Sequence, residues 1–127
     1  MSSGSMQLCY CGSQKSIETC CGPFLSGTCF PATAEELMRS RYSAYVTINI
    51  PYIIETTSPK FRKYYNPKSL LEWAENSTWI SLEILSSAER RVKFVATYLD
   101  ENGQLTRHVE DSRFEKVDGR WYFMDGN

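Results

Sequence analysis

The apolar positions of this chain change their spacing once. Before Thr78 they recur every three or four residues, and after it every second residue. Leu37, Met38, Arg41, Tyr42, Ala44, Tyr45 and Ile48 fall on one broad helical face, interrupted by a single charge. Thr33 is placed to cap that helix, and Glu36 three residues on completes a capping box. Pro51 breaks it. Tyr52–Thr57 supplies a second short helical piece. Asn66 as cap and Pro67 just inside open a third helix, with Leu70, Leu71, Trp73 and Ala74 as its buried side.

From Thr78, Ile80, Leu82 and Ile84 alternate with Ser81 and Glu83. Val92, Phe94, Ala96 and Tyr98 then alternate with Lys93, Val95, Thr97 and Leu99. Asp100–Gly103 is a turn, Gln104–Val117 a long strand, and Asp118-Gly119 a two-residue hairpin signal before a last strand, Arg120–Met124. Helices followed by a four-strand meander predict an α+β layer fold.

Composition adds limits. The chain has 127 residues, 42% hydrophobic and 13% aromatic, enough for one core. Its 14 basic and 15 acidic residues give no global charge case for nucleic acid. The basic pieces Arg62-Lys63 and Arg90-Arg91 are short and read as solvated turns. The aromatic run Trp121-Tyr-Phe123 reads as hairpin core rather than a base-stacking platform. No apolar stretch approaches the roughly 20 residues of a membrane span. The opening Met-Ser-Ser-Gly-Ser, residues 1–5, is set aside as a tag remnant. No apolar signal segment precedes the fold, so the expected compartment is the cytoplasm.

The strongest chemistry lies in residues 8–24. Four of the five cysteines, Cys9, Cys11, Cys20 and Cys21, fall within thirteen residues. Four thiolates this close can close one tetrahedral site at about 2.3 Å from an ion. Cys9 and Cys11 bend as a knuckle, Gly12 and Ser13 turn the chain, Gln14–Thr19 returns it, and Gly22-Pro23 ends the unit. Two disulfides are the rival arrangement, but they need an oxidising compartment, and neighbours such as Cys20 and Cys21 are poorly placed to bridge. All-thiolate ligation favours one zinc ion, with ferrous iron as the competitor. Four thiolates remove four charges and a divalent ion returns two, taking the formal −1 to −3. No ligand position is left open, so the site reads as structural. So short a segment should fold only around its ion. Cys29 reads as a spare thiol.

Cys-x-Cys-(eight residues)-Cys-Cys-Gly resembles the SEC-C motif, the metal-binding tail known from the preprotein-translocation ATPase SecA. The run Leu37-Met-Arg-Ser-Arg-Tyr-Ser-Ala-Tyr45 resembles the YchJ family. So do Glu110-Asp-Ser-Arg-Phe114 and Gly119-Arg-Trp-Tyr-Phe-Met-Asp-Gly126. The three blocks keep the family's order. The resemblance implies a SEC-C unit at 8–24 fused to a nuclear-transport-factor-two-like domain at 33–127. It also implies a protein partner for the SEC-C unit, because such tails in SecA are associated with the chaperone SecB and with ribosomes. Three features depart from the pattern. A second, C-terminal SEC-C motif is often present in the family and does not appear before Asn127. The usual Gly-Ser-Gly-Lys-Lys loop is Gly12-Ser-Gln-Lys-Ser16, leaving Lys15 alone. The usual Trp-His-Pro is Thr57-Ser58-Pro59, so no role of that histidine carries over.

Helices against an antiparallel sheet leave room for a pocket. Arg39, Arg41, Tyr42, Glu110, Ser112 and Arg113 are the candidates to line it or to brace helix to sheet. Arg41 on an apolar face needs a partner if buried, and Glu110 is the expected one. The alternative is a polar pocket for a small anionic or amide ligand. His108, the only histidine in the sequence, shares a strand face with Glu110 in a loose pairing, and a lone strand histidine reads as surface or packing rather than catalysis. Neither Ser40 nor Ser112 has a nucleophile elbow, and no phosphate loop is present. No catalytic residue is assigned. The expectation is a metal-binding adaptor, leaning away from an enzyme. The alternative is an enzyme or small-molecule binder that uses the pocket.

Overall fold

In the computed structural model, which describes residues 7–126, Thr33 caps the first long helix as expected. Met1–Ser5 lie outside the described residues. The Thr33 hydroxyl accepts from the Glu36 amide at 3.1 Å, and the Glu36 carboxylate accepts from the Ala32 amide at 2.8 Å. Among the described residues, four α-helices occur in order: α1 Gly22–Leu25, α2 Ala34–Val46, α3 Ile50–Glu55 and α4 Pro67–Asn76. Four strands follow: β1 Thr78–Ser87, β2 Arg91–Leu99, β3 Leu105–Val117 and β4 Arg120–Gly126. They form one antiparallel sheet in the order β1-β2-β3-β4.

Several boundaries move for identifiable reasons. Gly22-Pro23 opens α1 rather than ending the metal unit, because proline is pre-set for a first helical turn. A Cβ at Gly22 would lie 2.6 Å from the Ile17 carbonyl oxygen, so only glycine fits. Helix α2 stops at Val46, before Pro51. Ile48 then takes a left-handed conformation with φ 58° and stays largely exposed, off the predicted face. Pro51 starts α3 instead of breaking α2, with Asn49 capping the Tyr52 amide. In α4, Asn66 caps as predicted, but only Leu70 and Ala74 are fully buried; Leu71 and Trp73 remain partly exposed.

A bulge in β1 changes which residues face inward. Trp79 pairs with Tyr98 and Ser81 with Thr97, so Ile80 is an extra residue on its strand. Ile80 is accordingly 52% exposed, and Trp79 points inward in its place. In β2, Val92, Phe94 and Ala96 are buried as the alternation requires, and Val95 on the other face is buried too. Asp118 and Gly119 have φ of 52° and 80°, the left-handed pair that joins β3 to β4 in a tight hairpin.

Helix α2 is enclosed almost all round. Leu37, Met38 and Tyr42 pack with Phe94, Phe114 and Phe123 of the sheet, and Cys9, Cys11 and Cys21 belong to the same cluster. Ala44 joins Tyr52, Ile53 and Leu70 in a smaller group between helices. Two serines complete the burial. Ser40 bonds the Leu37 carbonyl and the Tyr52 hydroxyl, and Ser43 lies 3.6 Å from the Cys9 sulfur. The one-face reading of this helix missed them because buried serines look like surface. The metal unit is therefore packed into the common core.

Candidate metal centre and inter-layer cavity

The metal unit is built by backbone geometry around its sulfurs. The Cys9 amide donates to the Lys15 carbonyl at 2.8 Å, Leu8 bridges Ser16, and the Ile17 amide donates to the Gln7 carbonyl. Gly12 and Gln14 supply the positive φ values, 83° and 68°, that fold the knuckle back. A 3-10 turn at Ile17–Thr19 then delivers Cys20 and Cys21 to the start of α1.

The four sulfurs of Cys9, Cys11, Cys20 and Cys21 all lie within 4.8 Å of one another. Cys11 and Cys20 are 3.6 Å apart, and Cys20 and Cys21 are 4.0 Å apart. A tetrahedron with metal–sulfur bonds of about 2.3 Å has edges of about 3.8 Å, so these spacings fit one shared ion. The cysteines are free thiols rather than disulfides, and Cys29 is exposed outside the cluster. Cys9, Cys11 and Cys21 are buried, which closes the site on the core side.

The sulfurs have polar company. Ser13 Oγ lies 3.1 Å from Cys20 Sγ. Arg39 Nη1 donates to the Cys11 carbonyl at 2.7 Å and approaches Cys11 Sγ at 3.9 Å, while its Nε pairs with Glu35 at 3.0 Å. Arg39 was expected at the pocket; the pitch of α2 carries it to the metal unit instead. The hydrogen bond with Cys21, helped by Ser13, brings the Cys11 thiol down to about 4. Burial pushes Cys20 up, and the bond to Cys11 pushes Cys21 up. The cluster thus favours the charged form at Cys11 and disfavours it at Cys20 and Cys21. A divalent ion in the centre would hold the four sulfurs as thiolates and cross-link the knuckle to the turn that opens α1.

A second feature is a cavity of about 180 Å³ between α2, α4 and the inner face of the sheet. Arg41, Tyr42, Glu110 and Ser112 line it, as anticipated. Arg113 does not. Alternation along β3 turns it to the other face, where it pairs with Asp125 at 2.6 Å in solvent. The anticipated Arg41–Glu110 brace is also absent. Arg41 Nη1 donates to the Ile53 carbonyl at 2.9 Å, Thr56 Oγ1 at 2.8 Å and Thr57 Oγ1 at 3.2 Å, and the guanidinium lies 4.2 Å above the Phe123 ring. Its hydrogen-bond partners are the last turn of α3 and the residues just beyond it, and it meets the sheet through the Phe123 ring.

Glu110 is satisfied within its own strand. One oxygen pairs with His108 Nε2 at 2.8 Å, and the other accepts from Ser112 Oγ at 2.6 Å. Burial raises the Glu110 carboxyl, but the bonds from His108 and Ser112 outweigh it and hold the group below its usual range. The same bond raises His108. Burial pushes Tyr42 up to about 12, so its phenol stays protonated. Gly126 makes room for this arrangement, since a Cβ there would fall 2.1 Å from Glu110 Oε2.

The sequence reading missed the aromatic walls. Trp73, Trp79, Tyr45 and Tyr65 all border the cavity. Trp73 and Trp79 stack edge-on at 5.4 Å, and Tyr45 touches both. Only the β1 bulge brings Trp79 inward, and no periodicity shows a bulge.

Residues 33–126 match the family model described as YchJ, middle NTF2-like domain. The chain belongs to the YchJ family. Its curated relatives include a UPF0225 protein of Haemophilus influenzae strain 86-028NP, 46% identical over 126 residues and covering 95% of this chain and 78% of the relative. A UPF0225 protein of Geobacter sulfurreducens is 48% identical over 126 residues, covering 94% and 78%. Among solved structures, a SEC-C motif containing protein from Rhodopseudomonas palustris superimposes with a TM-score of 0.87 at 40% identity, over 95% of this chain and 98% of that one. A SEC-C motif containing protein from Psychrobacter arcticus gives 0.77 at 28% identity, over 95% and 82%. This YchJ-family chain thus joins an N-terminal SEC-C unit to an NTF2-like domain. Among the described residues, no helix is long and apolar enough to cross a membrane.

Proposed function

We propose that this YchJ-family protein is a cytoplasmic metal-binding adaptor. One divalent ion, zinc ahead of ferrous iron, is held by Cys9, Cys11, Cys20 and Cys21 and fixes the SEC-C unit against α2. The carrying observation is the set of four sulfurs within 4.8 Å of one another, three of them buried. The ion's role is structural. The fixed knuckle presents Leu8, 59% exposed, and Tyr10, 38% exposed, to a protein partner. SecB and the ribosome are the partners to try first, on the SecA resemblance.

The test is co-sedimentation with ribosomes and capture by purified SecB, using metal-loaded protein. A Leu8→Ser/Tyr10→Ser variant that keeps its metal should lose the partner, and Cys9→Ser/Cys11→Ser should lose metal and partner together. Undiminished capture by both variants would reject the adaptor role.

A second reading, a small-molecule site in the inter-layer cavity, is favoured by one buried, unsatisfied donor on a residue that lines it. Trp79 Nε1 is a buried side-chain polar atom with no hydrogen-bond partner among the described residues.

A further inference from the structure

We propose that the cavity between α2, α4 and the sheet binds a small monocyclic aromatic carboxylate. This rests on the cavity reading alone and is independent of the metal centre.

The charge of the cavity sets the charge of its ligand. Glu110 has one carboxylate oxygen on His108 and the other on Ser112, so neither forms an ion pair with Arg41. Arg41 is left over. It is fully buried, borders the cavity, and has no carboxylate within ion-pair distance among the described residues. Its hydrogen bonds among those residues leave from Nη1 alone and reach neutral oxygens. A buried guanidinium without a counter-charge is a costly arrangement, and an entering anion relieves it. A carboxylate matches the fork of the remaining N–H groups.

The walls set the shape and size. Trp73, Trp79, Tyr45 and Phe94 provide faces and edges for a flat ring. The volume, about 180 Å³, is slightly larger than the roughly 150 Å³ cavity known to hold benzene. One ring with a carboxylate fills it. Trp79 borders the cavity and carries a buried, unpartnered Nε1, which a ring bearing an oxygen acceptor would satisfy. Both carboxylate oxygens of Glu110 are already engaged, so the cavity is richer in free donors than in free acceptors.

The experiment titrates the metal-loaded full chain with 4-hydroxybenzoate, following the Trp79 indole N–H by NMR and the affinity by calorimetry. The expected result is saturable binding with a shifted Trp79 resonance. 4-Hydroxybenzyl alcohol, which lacks the carboxylate, should bind at least about tenfold more weakly. Arg41→Met should show a loss of similar size. Because Arg41 also ties down Thr56 and Thr57, Trp79→Phe provides a second variant that keeps the ring and removes the donor. It should weaken binding about fivefold. No Trp79 shift up to about 10 mM ligand, or equal affinity for acid and alcohol, overturns the proposal.

Discussion

Residues 8–25 contain one isolated bridge, a single 3-10 turn and a four-residue helix, and they hold three of the buried positions of the core as cysteines. Residues 78–126 contain four paired strands whose inner face is filled by Leu82, Val92, Phe94, Phe114 and Phe123. The two regions meet on α2, yet they reach order differently. The sheet owes its order to apolar area removed from water and to a continuous ladder. The cysteine segment has too few apolar side chains for that and relies on four ligands converging on one point. The comparison teaches that stability of the strands should be graded and local to each substitution, whereas that of the metal unit should be all-or-none in the ion.

Chelation should separate the two regions most sharply. Removing the ion at pH 7 should cost the SEC-C unit on the order of 10 kcal/mol of apparent folding energy. Amide exchange should rise sharply across residues 8–24 and along the side of α2 that touches Cys9. The hairpin of β3 and β4 should change least. Uniform loss of protection across the molecule would show that the two regions share one source of order.

Smaller effects sharpen the picture on the sheet side. Leu37, fully buried, should lose about 3 kcal/mol on replacement by alanine, measured by denaturant unfolding of metal-loaded protein. Its metal content should be unchanged. Gly126→Ala should cost about 1–2 kcal/mol, because its methyl displaces the Glu110 carboxylate. That variant should also free His108, visible as a return of the imidazole towards its ordinary pKa. An unchanged His108 titration would mean that Glu110 does not depend on Gly126.

The mildest prediction concerns pH. His108 is raised by Glu110, so its contribution is complete below the ordinary value of 6.5 and fades as pH rises through the raised one. Glu110 is lowered by His108 and Ser112, so its contribution is complete above the ordinary 4.5 and fades as pH falls through the lowered one. The pair is strongest between those limits. Its other neighbours are the rings of Trp73 and Phe94 and, at longer range, the cation of Arg41. Glu110→Gln should lower the His108 midpoint in an NMR titration. His108 is partly exposed, so the effect on stability should be small.

The fold was legible where each residue obeyed one local rule. Thr33 and Asn66 mark their caps through side-chain bonds to nearby amides, Asp118-Gly119 marks its turn through backbone conformation, and the period of two in β2 places Val92, Phe94 and Ala96 inward. It was not legible where position depended on distant parts. Trp79 faces inward only because Ile80 bulges out. Ser40 and Ser43 are buried only because the metal unit and α3 cover α2. The cysteine cluster was readable because its ligands are close in sequence. The cavity was half readable: Arg41, Tyr42, Glu110 and Ser112 were found, but Glu110 bonds within its strand while Arg41 turns to Thr56 and Thr57. Arg39 and Arg113 left the group because helical pitch and strand alternation aim them elsewhere.

The central claim is a single ion bound by four sulfurs in one convergent centre. X-ray absorption at the metal edge of protein purified under reducing conditions, with elemental analysis of the same sample, tests it most directly. The expected result is about one zinc or iron per chain with four sulfur neighbours at about 2.3 Å. A first shell containing nitrogen or oxygen, or a chain that carries no metal while its thiols remain reduced, would contradict it.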